Sequence, residues 1–287
     1  MTPSILRLAG ATSWLGGSQL DSSRQRPFRQ RFLTTLNVGA TLRSQGGCSG
    51  DCTNGGTLNL PWMDSTARRA VESTGSPGGY YVVGNEVDDS FSDNVAPSQA
   101  AYGAQLDAWV GALRKYDPRA HIVGPNFTPW EGAQCGGDSS ICYPWGQPPQ
   151  WWSQFLRAYR GAHDGVNPPF SYMSIHAYPG CNTTSAADTT AVDDYSKQVA
   201  SDGYPSSVWV TEAALCFNQP ASTPLTDAQQ NDVRAFVSAY RNDSRVGRLY
   251  YFTQTYPGYD NAGTSLRAVY NSDGSGTELA SAIASVR

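Results

Sequence analysis

The stretch Tyr-Tyr-Val-Val-Gly-Asn-Glu at residues 80–86 contains the unit on which the fold prediction depends: a short apolar run that ends on a glycine and two polar residues. A longer segment follows at residues 98–116, where apolar side chains recur at helical spacing until Asp117 and Pro118. β-branched and aromatic runs of this length are typical of buried strands, and the later segment is typical of an amphipathic helix. The unit therefore predicts a strand, a loop and a helix, in that order.

The same unit recurs along most of the chain. Apolar, β-rich runs predict seven strands, at residues 5–8, 36–42, 80–83, 121–123, 172–175, 208–210 and 249–252. Helical stretches are predicted at residues 65–73, 98–116, 151–162, 190–201, 227–241 and 277–286. Strands that alternate with helices indicate βαβ units and a parallel sheet, so the predicted class is α/β.

The loops favour a (β/α)8 TIM barrel over an open sheet. Connections from helix to strand are short, whereas those from strand to helix are long and rich in Gly, Cys and aromatic residues, as at residues 46–56 and 126–150. This asymmetry is typical of barrels, whose functional loops leave the carboxyl ends of the strands. Seven strands rather than eight predict that the first barrel strand is missing or divergent at the N-terminus. No repeat or linker interrupts residues 1–287, which we expect to form one domain.

Composition and motifs exclude several classes of protein. The net charge of −4 and the absence of a basic run are unfavourable for nucleic-acid binding. No apolar run is long enough to span a membrane, and 8 Trp, 16 Tyr and 9 Phe are typical of a folded chain. No GxGxxG or Walker motif indicates a nucleotide cofactor, and no GxSxG or HExxH motif indicates a serine or metal hydrolase. We therefore expect no cofactor and no metal. We also expect the protein to be a monomer.

An even number of cysteines points to disulfides and a secreted or extracellular protein. The six are Cys48, Cys52, Cys135, Cys142, Cys181 and Cys216. The first two pairs are close in sequence, and the last two residues follow consecutive predicted strands, so we expect these three pairings, with free buried thiols as the alternative. The N-terminus has no signal peptide, so the sequence is a mature or truncated form, or else the secretion hypothesis is wrong. Sequons begin at Asn126, Asn182 and Asn242.

Two of the five glutamates stand apart from the others. Glu72 and Glu278 lie in helical stretches and Glu131 lies in a loop, whereas Glu86 and Glu212 each follow an apolar strand directly. A carboxylate at such a position is costly to desolvate, and its pKa is easily shifted, as in active sites. The alternative is that each caps a helix or pairs with an arginine.

These residues resemble the clan A glycoside hydrolases. Gly84-Asn85-Glu86 resembles their acid/base motif on the fourth strand, and Thr211-Glu212 resembles their nucleophile on the seventh, provided that one N-terminal strand is missing. His176-Ala-Tyr178 matches the His and Tyr usual after the sixth strand. The segment LRLAG at residues 6–10 resembles the second-strand segment of family 79-like enzymes, and residues 269–275 resemble the end of many such barrels.

The sequence also departs from those families. Val87 replaces the proline that usually follows Asn-Glu and is followed by Asp88 and Asp89, and the eighth-strand segment at residues 250–254 lacks the usual Trp. Family 79 enzymes usually continue into a β-sandwich, whereas compact β-1,3-glucanases of family 128 end near the barrel and carry Asn-Glu and Thr-Glu motifs. The resemblance therefore leaves family and substrate open.

The resemblance implies a retaining glycosidase with Glu212 as nucleophile and Glu86 as acid/base, their carboxyl groups about 5–5.5 Å apart across one cleft. Asn85 would bind the sugar 2-hydroxyl, and Tyr178 or His176 would orient Glu212. If its strand lies beside the nucleophile, Arg7 would keep Glu212 ionised through its charge.

The implied substrate is a β-linked oligo- or polysaccharide, a β-glucan or a related polymer. We expect Trp130 and Trp145 to stack on sugar rings, and Gln254 to contact substrate at the end of the last strand. The alternative function is that of a catalytically inactive barrel that binds carbohydrate; such a protein would not need both glutamates.

Overall fold

The structure is a computed structural model that describes residues 34–74, 77–88, 97–128, 148–178, 185–213, 215, 223–251 and 278–286. Within these residues the strands are β1 (Thr34–Leu36), β2 (Cys48–Ser49), β3 (Thr57–Leu58), β4 (Tyr80–Val83), β5 (His121–Phe127), β6 (Tyr172–Ala177), β7 (Val208–Ala213) and β8 (Val246–Tyr251). The helices are α1 (Gly39–Ser44), α2 (Leu60–Thr74), α3 (Gln99–Tyr116), α4 (Pro148–Ala162), α5 (Thr190–Ser201), α6 (Asp227–Asn242) and α7 (Glu278–Ala284).

The main sheet is parallel, and its strands lie side by side in the order β1-β4-β5-β6-β7-β8. Each strand pairs with the next main-sheet strand along the chain, so that Val82 of β4 lies opposite Thr35 on one side and Val123 on the other. A helix separates each consecutive pair, as parallel connections require. The α/β class is thereby confirmed, and the arrangement is that of a TIM-barrel-like fold. The strand expected at residues 5–8 lies outside the described residues.

The prediction of a strand at residues 36–42 is wrong for most of that segment. Residues 36–42 were expected to be extended, but β1 ends at Leu36 and α1 begins at Gly39. Gly39 has φ +58°, a conformation that favours glycine and turns the chain out of the strand. Leu42 of α1 is completely buried, so its apolar character serves helix packing and not strand pairing.

The sheet buries side chains on both faces. Tyr81, Val83 and Ile122 belong to the large core between sheet and helices, together with Leu106 and Trp109 of α3. The intervening strand residues point to the opposite face, because side chains alternate along a strand. There they form a second cluster, which contains Val82, Val123, Trp209 and Tyr250. Burial on both faces is typical of a TIM-barrel-like fold, in which helices cover one face of the sheet and strand side chains fill the interior on the other.

A small hairpin, β2–β3, lies between α1 and α2 and carries the disulfide Cys48–Cys52, whose Cα atoms are 6.0 Å apart. This pairing is as predicted from the spacing. Gln105 of α3 ties the hairpin to the barrel, because its Nε2 donates to the Cys52 carbonyl at 2.6 Å while its Oε1 accepts from Gly39 N at 2.7 Å.

None of the helices within the described residues has the length and apolar character needed to cross a bilayer.

Candidate active site

The carboxyl ends of four neighbouring strands bring polar side chains to one edge of the sheet. Glu86 follows β4, Asn126 is near the end of β5, His176 is in β6 and Glu212 is in β7. In the register of the sheet, His176 lies directly opposite Glu212. The carboxyl end is where TIM-barrel enzymes place their active sites.

The backbone around Glu86 is held in an unusual conformation. Gly84 N donates to the Leu36 carbonyl at 2.8 Å, which continues the sheet pattern beyond β4. Gly84 has φ +90° and Glu86 has φ +45°. A positive φ is uncommon for a residue with a side chain and is stabilised by the surrounding structure. The turn carries the Glu86 side chain, 14% exposed, toward His176.

His176 connects the two carboxyl groups. Its side chain is completely buried, with Nδ1 3.0 Å from Glu86 Oε1 and Nε2 3.6 Å from Glu212 Oε2. The two glutamates therefore lie on either side of one imidazole ring, as expected if they face one cleft.

Tyr178 contacts the second glutamate. Its hydroxyl donates to Glu212 Oε1 from the segment just after β6. The hydrogen bond from Tyr178 favours the ionised form of the Glu212 carboxyl and fixes its orientation. Glu212 is 20% exposed, so a carboxyl oxygen remains within reach of a ligand.

Asn126 is buried, with 3% exposure, and its side chain forms hydrogen bonds to several residues of the site. Its Nδ2 is 2.8 Å from His176 Nε2 and 3.3 Å from Asn85 Oδ1, and its Oδ1 accepts a hydrogen bond from the Thr211 hydroxyl. An amide NH₂ only donates, so Nε2 of the neutral imidazole is the acceptor. Neutral His176 then carries its proton on Nδ1 and donates it to Glu86.

Burial and neighbouring charges shift the pKa values of Glu212 and His176. Burial raises the pKa of Glu212, and the charge of Glu86 raises it further, while His176 and Tyr178 act in the opposite direction without cancelling the shift. Burial lowers the pKa of His176, but the charges of Glu212 and Glu86 outweigh it and leave the pKa above its ordinary value. Such pKa shifts are typical of sites that transfer protons.

A third carboxyl group, that of Asp88, lies two residues after Glu86 in the sequence. Asp88 is 5% exposed and accepts two hydrogen bonds from Thr128, one from the backbone N at 3.0 Å and one from Oγ1 at 2.6 Å. Burial raises the pKa of Asp88 to about 6; the Thr128 bonds oppose this rise and the charge of Glu86 adds to it.

The predicted site residues fall into two groups. The structure brings Glu86, Glu212, Asn85, His176 and Tyr178 together at one edge of the sheet. The other expected substrate contacts, Arg7, Trp130, Trp145 and Gln254, lie outside the described residues, as do Cys135, Cys142, Cys181 and Cys216.

Several polar residues of the site had no assigned role in the sequence prediction. They are Asn126, Thr211, Asp88 and Thr128. Asn126 was considered as the start of a sequon in a loop, but it is a buried residue of β5, so it is not a surface glycan acceptor. Among the described residues, no cluster of His, Cys, Asp or Glu is arranged to hold a metal ion.

Residues 59–282 match the family model described as the glycosyl hydrolase catalytic core. The chain belongs to that family and is a glycoside hydrolase. No curated protein is significantly similar to it.

Solved structures share this fold at low sequence identity. One is a GH128 (subgroup II) endo-β-1,3-glucanase from Pseudomonas viridiflava, with TM-score 0.56, 20% identity, and coverage of 80% of this chain and 76% of the glucanase. A glucosidase from Croceicoccus marinus has TM-score 0.55 and 13% identity, covering 85% of this chain and 47% of the glucosidase. A GH39 β-xylosidase from Caulobacter crescentus has TM-score 0.51 and 16% identity, covering 80% of this chain and 47% of the xylosidase. This chain thus spans about half the length of the last two proteins.

Proposed function

We propose that this glycoside hydrolase cleaves β-linked glucans with retention of configuration, using Glu212 as nucleophile and Glu86 as acid/base. The observation that carries the proposal is the contact of one buried imidazole with both carboxyl groups at the carboxyl edge of the sheet. Retaining hydrolysis needs such a pair, because one group attacks the anomeric carbon while the other protonates the leaving oxygen and then activates water.

The contacts of Glu212 suit a nucleophile. The Tyr178 hydroxyl lowers the pKa of Glu212 against the larger opposing effect of burial and holds one oxygen in place. Attack by the carboxylate on the anomeric carbon forms a glycosyl ester and breaks the glycosidic bond. The sugar is later released when water attacks the same carbon and the carboxylate leaves.

The contacts of Glu86 suit an acid/base. His176 Nδ1 lies 3.0 Å from Glu86 Oε1 and holds the group in position as its proton moves to the leaving oxygen and a second proton is taken from water. Asn85, held by Asn126, would bind the sugar 2-hydroxyl, a contact that strengthens in the transition state.

The choice of β-glucan rests on likeness rather than on contacts. The fold is similar to that of a GH128 endo-β-1,3-glucanase, and the Asn-Glu and Thr-Glu motifs resemble those of family 128. We further propose that residues 1–287 form one catalytic domain and that the protein is an extracellular monomer; the disulfide Cys48–Cys52 supports an oxidising compartment. Arg7, Trp130, Trp145 and Gln254 would complete the substrate cleft.

The test combines Glu86→Ala and Glu212→Ala with added azide on an activated aryl β-glucoside. Azide should restore turnover in both variants and give the β-glycosyl azide with Glu86→Ala but the α-glycosyl azide with Glu212→Ala, because azide replaces the base in one and the nucleophile in the other. NMR of the anomeric proton in the product identifies each. The matched control is Glu72→Ala, which removes an exposed glutamate paired with Arg68 on α2.

A panel of laminarin, other glucans, mannan and xylan then identifies the polymer. If either glutamate variant kept wild-type activity, the assignment of catalytic residues would be wrong. If the wild-type chain bound oligosaccharide but hydrolysed no member of the panel, the inactive carbohydrate-binding barrel would replace this proposal.

A further inference from the structure

Asp88 is a buried carboxyl group with no part in the mechanism above. Its exposure is 5%, and both of its oxygens are engaged by Thr128 at the end of β5. A buried carboxyl is costly to desolvate, so two bonds from a single partner indicate that the arrangement is built into the fold.

The Asp88 bonds belong to a set that joins the Glu86 turn to β5 and the residue just after it. Asn126 Nδ2 donates to Asn85 Oδ1 at 3.3 Å before Glu86, and Val87 N donates to the Asn126 carbonyl at 3.1 Å after it. The Asp88–Thr128 pair is the last of these contacts along the turn. Glu86, with φ +45°, thus lies between anchored residues on both sides.

We propose that Asp88, through its two hydrogen bonds to Thr128, is a positioning residue that holds Glu86 in its left-handed conformation and so aims the Glu86 carboxyl at the glycosidic oxygen. This inference rests on the proposed function, in which Glu86 is the acid/base. A left-handed conformation is unfavourable for a glutamate, so loss of the anchor allows the turn to relax. A displaced acid protonates a leaving group poorly even when substrate still binds.

The bonding pattern requires the shape of Asp88 more than its charge. A side-chain amide at this position has an oxygen to accept from Thr128 N and an NH₂ to donate to Thr128 Oγ1, since a hydroxyl both donates and accepts. Asp88→Asn therefore preserves both bonds and removes the charge, whereas Asp88→Ala removes both bonds.

The test compares two aryl β-glucosides that differ in leaving group. The 2,4-dinitrophenolate leaves without protonation, whereas phenolate needs the acid. For Asp88→Ala we expect kcat on the phenyl glucoside to fall by about 100-fold, within the range of general acid catalysis, while KM stays the same. On the dinitrophenyl glucoside with azide present, which replaces the base step, kcat should fall by less than about threefold.

Two further variants keep both hydrogen bonds between positions 88 and 128, and a third keeps only one of them. Asp88→Asn and Thr128→Ser keep the bonds and should restore turnover of the phenyl glucoside to within about threefold of wild type. Thr128→Val keeps only the backbone bond and should lose about tenfold, again selectively for the phenyl glucoside. If Asp88→Ala does not fold, Thr128→Val decides the question by the same selectivity.

Equal losses on both substrates would overturn the proposal, because they indicate a general loss of folded protein. A loss in Asp88→Asn as large as that in Asp88→Ala would also overturn it and indicate a role for the charge. The failure of the proposed function looks different: Glu86→Ala itself would then show no selectivity for the leaving group, or the wild-type protein would hydrolyse neither glucoside.

Discussion

Nδ2 of Asn126 lies 2.8 Å from Nε2 of His176, and this contact determines which nitrogen carries the proton when the buried imidazole is neutral. Because the amide donates to Nε2, the proton is on Nδ1 and points at Glu86. The bond also favours the neutral ring and so opposes the charges of Glu212 and Glu86, which raise the pKa of His176.

Asn126→Asp should therefore raise the pKa of His176 further, because a carboxylate replaces the donor at Nε2 and stabilises the imidazolium. The new carboxylate also cannot donate to Asn85 Oδ1, so the turn that carries Glu86 loses one of its anchors. We expect kcat on poor leaving groups to fall by about 100-fold. Nitrogen-15 NMR of the His176 ring should show a proton on Nδ1 alone in the neutral wild type, and on both nitrogens in the variant at pH 7.

The matched control is Asn167→Asp, which changes an amide that bonds to Arg160 at the protein surface. It should leave the His176 signals in place. A wild-type spectrum with the neutral proton on Nε2 would contradict the assigned tautomer.

Tyr178→Phe should slow hydrolysis and shift its pH profile. The Tyr178 bond lowers the pKa of Glu212, so its loss raises that pKa, and the nucleophile becomes ionised only at higher pH. The acid limb of kcat/KM should move to higher pH, and kcat should fall by roughly 10- to 100-fold, as expected for a lost hydrogen bond to a charged group.

Tyr116→Phe provides the comparison, since the Tyr116 hydroxyl also donates to a carboxylate, Asp64, at 2.6 Å but on the outer helices. Its pH profile should coincide with that of the wild type. An unchanged acid limb in Tyr178→Phe would show that this bond does not control the ionisation of Glu212.

The sequence was sufficient to predict which polar residues lie at the carboxyl edge of the sheet, just where an apolar strand ends. Glu86 and Glu212 were identifiable because a polar residue after a buried strand in a parallel sheet falls at the carboxyl edge, and His176 and Tyr178 follow by the same rule. Asn126 was missed because Gly124 and Pro125 indicate a turn, whereas β5 continues through them to Phe127. Strand length at that point is decided by pairing with β6, in which Asn126 lies opposite Ser174.

The contact between Asp88 and Thr128 could not be predicted from the sequence, for a different reason. The two residues are 40 positions apart and neither belongs to a periodic pattern, so only the spatial approach of two loops brings them together. The run at residues 36–42 illustrates the opposite error, because a short apolar segment fits a strand and a buried helix equally well.

Asp117→Ala should destabilise the fold without altering the active site. The Asp117 carboxylate accepts from the backbone N of Gly78 and Gly79 at 2.9 Å and from Arg119 N at 3.1 Å, just before β4 and β5 begin. Removing the carboxylate leaves these backbone N–H groups without their hydrogen-bond acceptor. We therefore expect the free energy of unfolding at pH 7 to fall by roughly 2 kcal/mol. Urea denaturation measures it, and the exposed Asp232→Ala on α6 is the control.

The contribution of Asp117 should also depend on pH in a defined direction. Burial raises its pKa, but the backbone bonds from Gly78, Gly79 and Arg119 outweigh this effect and leave the pKa below its usual value. A carboxyl whose pKa is lower when folded stabilises the protein above the unfolded pKa of about 3.9, and that stabilisation is lost as pH falls through the folded value. The difference between wild type and Asp117→Ala should therefore shrink on acidification; a constant difference would mean that the charge contributes nothing.

Removing the disulfide with Cys48→Ser and Cys52→Ser should cost about 2 kcal/mol, because the bond closes a short loop and limits the unfolded chain only slightly. The hairpin keeps other contacts, including Gly56 N to the Asp51 carbonyl at 2.7 Å and Gln105 to the Cys52 carbonyl, so its shape should persist. Urea unfolding with and without reductant tests this: reductant should remove the difference between wild type and double variant. If the difference persisted in reductant, the loss would come from the buried sulfur atoms and their packing, since both cysteines are at most 4% exposed.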